Sequence, residues 1–120
     1  MPDYRKQGDL FIVSYVTGPS HVRLGIRFSS EPRSSPTLTR LPPVGECDHG
    51  PLEESRIVES VNEGVSRAND KHHTHMRVAE IHYVANDSPR YDLFRHCAFL
   101  IADGVQAGAE FRDAGWSFEA

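Results

Sequence analysis

At 120 residues, with 38% hydrophobic and 25% charged content, the chain has the size and balance of one globular domain able to build its own core. A formal net charge of -4 excludes a broadly basic nucleic-acid binder and leaves room only for a local basic patch. Its two cysteines, Cys47 and Cys97, give no disulfide framework, and no apolar run approaches the ~20 residues of a membrane span.

Residues 1–9 read as a polar lead-in. They contain no apolar stretch of the export-signal kind, which gives the expectation of a cytoplasmic protein. The run LFIVSYV, 10–16, is rich in β-branched and aromatic residues and predicts a strand. The cluster TGPS, 17–20, predicts a turn. The next segment, HVRLGIRFSS, alternates: Val22, Leu24, Ile26 and Phe28 fall on one side, Arg23, Gly25 and Arg27 on the other. Period two with one apolar face predicts a half-buried strand, and the two segments together predict a β-hairpin.

Residues 31–51 carry Pro32, Pro36, Pro42 and Pro43 and read mostly as loop, with TLTRL, 37–41, a short third strand at an edge. A helix is predicted over 51–70. Pro51 suits its first turn, Glu53 and Glu54 suit the positive end of its dipole, and Ile57, Val58, Val61, Val65 and Ala68 form its apolar stripe. Gly64 interrupts that stripe, which suggests close approach of the helix to the sheet. The segment 76–85 predicts a strand with apolar residues in both phases, as a bulge or an interior strand covered on two sides would produce. Ser88 then reads as an N-cap and Pro89 as the first residue of a second helix, with Phe94, Cys97, Ala98, Ile101 and Val105 at helical spacing. A tail, 108–120, carries Phe111, Trp116 and Phe118.

The order predicts an α+β fold: a single domain with its core over about 10–107, built as a two-layer β-β-β-α-β-α sandwich whose mixed sheet carries both helices on one face. The strand at 10–16 sets Phe11, Val13 and Tyr15 against Leu10, Ile12 and Val16. The face away from the helices therefore needs a cover: the aromatic tail, a partner, or a second copy in a homo-oligomer.

Three stretches resemble domain IV of translation elongation factor G and of the tetracycline-resistance ribosomal protection proteins. They are GPSHVRLGIRFSSEP, a glycine-containing turn followed by an alternating strand; IVESVNEGVSRA, a helix with an internal glycine; and ANDSPRYDLFRHCAFLIADG, a turn followed by Ala98-Phe99-Leu100-Ile101-Ala102. The resemblance spans roughly residues 15–110. It implies the same β-β-β-α-β-α layout with a left-handed crossover, no catalytic activity in this domain, and loop tips that reach the ribosomal decoding centre. The chain departs from the family at the tip turn, where Asn86-Asp87-Ser88-Pro89-Arg90 stands in place of a turn of D-G-S-Y-H character. It also contains no G-x-x-x-x-G-K-[ST] phosphate loop.

The expected contacts at this tip are His21, Arg23, Asp87, Arg90 and Tyr91, which combine phosphate-binding and stacking groups suited to ribosomal RNA, or to a protein partner. The segment NDSPRYD also holds a serine beside acids. It has no G-x-S-x-G elbow or relay histidine, and capping accounts for Asp87, Ser88 and Pro89 without chemistry. A different class of function rests on Cys47 and His49 with His73 and His75, two spaced pairs that could hold a zinc-type ion in a metal-binding protein or metal-dependent enzyme. Their spacing matches no finger or H-E-x-x-H pattern, so a polar loop without cofactor is the competing reading. Cys97 lies on an apolar stripe and reads as a buried thiol, and His82 reads as a surface or interface residue.

Overall fold

The computed structural model describes residues 3–17, 20–29, 36–41, 52–84 and 90–113. These form β1 (Asp3–Gln7), β2 (Leu10–Thr17), β3 (Ser20–Ser29), β4 (Thr37–Leu41), α1 (Glu54–His72), β5 (Arg77–Val84), α2 (Tyr91–Ala107) and β6 (Arg112–Asp113). The strands make one mixed sheet in the order β4-β5-β3-β2-β1-β6. β1–β2, β2–β3 and β3–β5 are antiparallel, whereas β4 runs parallel to β5 and β6 parallel to β1. The chain is thus an α+β protein with the expected hairpin, edge strand and two helices. No helix among the described residues is long and apolar enough to cross a membrane.

The alternation of β3 places Val22, Leu24 and Ile26 in the main core with Val13 of β2, Ile57, Val61 and Val65 of α1, and Phe94, Cys97 and Ile101 of α2. On β5 both explanations for its two apolar phases hold. The register passes from Arg27↔Glu80 to Phe28↔Val78, so Ala79 is an extra residue opposite β3. That bulge lets Val78 join Ile81 and Tyr83 in the same core despite their mismatched parity. The strand is also interior, and Ala79, His82 and Val84 are buried as well. His82, expected at the surface, is 2% exposed, because an interior strand is covered on both sides.

The polar lead-in is not a lead-in. Residues 3–7 form β1, which joins β2 through a two-residue turn with Gly8 at φ 61, the geometry that a glycine in the first central position permits. One aromatic, Tyr4, anchors it: its ring lies 5.4 Å from that of Phe111. Phe111 in turn meets Phe11 at 5.1 Å, so the first tail aromatic packs on the helical side of the sheet. Trp116 and Phe118 lie outside the described residues. On the other side Leu10, Ile12, Leu41 and Val84 form a second cluster at 0–4% exposure within one chain.

Both helices begin later than their sequence signals suggest. α1 has Glu53 as N-cap, with extended backbone and no side-chain capping bond, and Pro51 lies outside the described residues. α2 has Arg90 as N-cap, not Ser88, and again no side chain caps it. Ser88 and Pro89 also lie outside the described residues. At its other end α1 stops at His73, which adopts the left-handed region at φ 56 and donates its N–H to the Asn69 carbonyl. The Asn69 side chain then accepts from the Met76 N–H at 3.0 Å and donates to its carbonyl at 3.1 Å, aiming the chain into β5.

The glycine inside α1 faces α2, not the sheet. A Cβ at Gly64 would overlap the Arg95 carbonyl oxygen and sit 2.9 Å from the Ala98 Cβ. The two helix backbones cross here at a distance that only glycine allows. Replacing Gly64 by Ala adds helix propensity of about 1 kcal/mol, yet it forces apart two backbones that cannot yield like a side chain. G64A is therefore expected to lower the unfolding free energy by about 2 kcal/mol in urea titration. A midpoint at or above wild type would show that the crossing can relax.

Candidate functional site

The register of the sheet and the helix contacts bring separate sequence segments to one end of the sandwich. Leu24 pairs with Tyr83, and Leu41 with Val84, so the start of β3 lies beside the ends of β4 and β5. The Tyr83 hydroxyl donates to Glu54 Oε2 at 2.6 Å, which places the start of α1 over the end of β5. The Tyr91 hydroxyl accepts from the Glu53 N–H at 3.0 Å, which places the start of α2 beside the start of α1. His21, Arg23, Arg90 and Tyr91 therefore share this end. Asp87 lies outside the described residues.

Arg23 projects from the sheet face away from the helices, and its Nε donates to Ser14 Oγ at 3.1 Å. Arg90 forms a two-point contact with Asp92, at 3.0 and 2.7 Å, and its guanidinium holds the Asp92 carboxyl below the usual carboxylate range. Both side chains are about half exposed, so solvent screens the pair and it contributes little to stability. Tyr91 is held by neighbours within the fold. The Arg56 guanidinium lies 4.1 Å from its ring centroid, and the Phe94 ring stacks beside it at 6.1 Å and 29°. Its ring and hydroxyl are thus already engaged within the fold.

Sequence reasoning missed three members of this end. Arg56 sits two residues beyond the glutamates that favour the α1 dipole, so its position was visible but its aromatic partner was not. Arg40 is exposed on β4, in register with Tyr83. Tyr83 reads as an apolar core residue, yet its hydroxyl reaches Glu54. Burial, then Glu54, pushes the phenol up to about 12, so it stays a hydrogen-bond donor at any ordinary pH.

Of the second set of candidates, His73 and His75 fall among the described residues. His73 and His75 are exposed where α1 ends, and α1 spans 19 residues, about 28 Å, from the tip. Cys47 and His49 lie outside the described residues. Among the described residues no group of three or more His, Cys, Asp or Glu side chains could hold a metal ion. Cys97 is fully buried, as its apolar stripe implies, and exposed His96 meets the Tyr15 ring at 5.3 Å and 85°.

Two further polar clusters stabilise the frame. Asp103 of α2 accepts from His72 Nε2 at 2.7 Å and from Lys71 Nζ at 2.9 Å, which ties the last turn of α1 to α2. On the sheet face away from the helices Arg27 bridges Asp9 at 2.7 Å and Glu80 at 2.5 Å, and His82 Nε2 lies 3.3 Å from Glu80. No protein-family model, curated protein or solved structure matches this chain.

Hydrogen bonds from His72, then Lys71, lower the Asp103 carboxyl, and those from Arg27, then His82, lower Glu80. A carboxyl depressed by folding stabilises the native state above its unfolded pKa, and that contribution disappears as pH falls through the folded value. Urea midpoints are therefore expected to hold from neutral pH to about pH 5 and to drop below about pH 4. The drop should be smaller in D103N. An acid limb identical in D103N and wild type would show that the helix–helix pair contributes nothing.

Proposed function

We propose that this chain is a non-catalytic binding module that docks end-on against ribosomal RNA. The observation that carries this reading is the convergence of His21, Arg23, Arg90 and Tyr91, from two distant segments, on the end where both helices begin. By the resemblance noted in the sequence, that end would be the tip by which elongation factor G domain IV reaches the decoding centre. Arg40 and Arg56 add to the positive charge there, against Glu53, Glu54 and Asp92. The net charge of -4 does not oppose this, because screening over about 8–10 Å makes local charge decisive at a docked surface. The hydrogen-bonding and charged groups that the described residues bring to this end are of the kind that suit recognition. A cytoplasmic location follows from the partner.

Co-sedimentation with ribosomes tests the reading. The protein is expected in the ribosomal pellet at low salt and is expected to be released as salt rises, the signature of phosphate contacts. The double variant R23E/R90E should reduce the pelleted fraction about tenfold. Protein that remains in the supernatant at low salt would remove the ribosome from consideration.

A further inference from the structure

We infer that Tyr91 is the positioning residue of this end and not one of its contacts. It is the first residue of α2, and its hydroxyl accepts from the N–H of Glu53, the N-cap of α1. Arg56, in the first turn of α1, lies over its ring. Phe94, fully buried one turn along α2, stacks beside it and anchors it to the core. One side chain therefore touches the beginnings of both helices and the packed interior between them. Neither N-cap residue, Glu53 or Arg90, makes a side-chain capping bond, and this contact supplies a local constraint of the kind such a bond would give.

The arrangement has a consequence for presentation. The buried Phe94 holds the Tyr91 ring, and the ring holds the start of α1 and the extended Arg56 guanidinium. Arg90, the residue before Tyr91, is held separately by Asp92, at 3.0 and 2.7 Å. A base stacking on that face of Tyr91 would have to displace a guanidinium already bound to it. Holding both cations without a partner present lowers the ordering cost of docking. What the two arginines dock against rests on the binding reading above; the placement of the helix starts by Tyr91 does not.

Three full-length chains test it: wild type, Tyr91→Phe, which keeps the ring and removes the acceptor, and Tyr91→Leu, which removes both. Amide exchange at Glu53 is expected to quicken about fivefold in Y91F, with the ring-current shift of the Arg56 side-chain protons retained. In Y91L that shift should also vanish. Ribosome retention should weaken about threefold in Y91F and about tenfold in Y91L, while the thermal midpoint of Y91F stays near wild type. Unchanged Glu53 exchange and Arg56 resonances in both variants overturn the inference whether or not ribosomes bind. Resonances that move while Y91F and Y91L pellet like wild type overturn the presenting role and leave the binding reading intact. Failure of wild type to pellet overturns the binding reading, and the resonances alone then decide the placement.

Discussion

The strand β5 is hydrogen-bonded along both edges and buried on both faces, and the other elements are arranged around that requirement. It lies between β3 and β4, both of which precede it in the chain. The connection from β3 to β4 therefore has to leave a strand-wide gap. α1 then has to cross the sheet and return the chain at the correct height. The Asn69 side chain sets that height through its two bonds to Met76, and the extra residue at Ala79 corrects the phase so that Val78, Ile81 and Tyr83 all reach the helices. Without the bulge, one side of the mismatch would place a valine on the wrong face.

Against the sheet the helices form a second constraint. The crossing at Gly64 brings their backbones close, and Asp103 ties α2 to the last turn of α1 through Lys71 and His72. At the opposite end Tyr91 and Tyr83 perform a comparable task with hydroxyls. The helix pair is thus fastened at both ends and pressed together in the middle. The end bearing His21, Arg23 and Arg90 inherits its geometry from this packing, so its side chains are placed by the core more than by the connections next to them.

Much of this was legible wherever burial imposes a period. The alternation from Val22 to Phe28 and the stripe from Ile57 to Ala68 specify β3 and α1 directly, because one face of each meets the core. β1 escaped notice because four of its five residues are polar and Tyr4 is its one aromatic, so its pairing with β2 leaves almost no hydrophobic pattern. The helix starts were displaced because capping signals such as Ser88 and Pro51 describe local preference, whereas tertiary contacts through Tyr91 and Glu54 decide where these helices begin. The partner of Gly64 could not be read from its own segment, since the reason for the glycine lies on α2. The same limit applied to the candidate site: His21, Arg23, Arg90 and Tyr91 could be named singly, but the occupation of the Tyr91 ring by Arg56 depends on two helices meeting.

The order of strands also has a consequence in time. Ribosomes synthesise the chain from its N-terminus, so β1, β2 and β3 are complete while the neighbour that will cover the outer edge of β3 does not yet exist. That neighbour, β5, follows only after β4 and the whole of α1, a delay of several seconds at about 5–20 residues per second. During this interval the nascent protein carries a half-finished sheet with an open edge of Leu24, Ile26 and Phe28, the kind of template that recruits foreign strands. The parallel edge strand β4 must also remain unpaired until β5 arrives. Assembly of this small domain is therefore governed by its middle strand being made late, and its most vulnerable state is an incomplete chain, not the finished molecule.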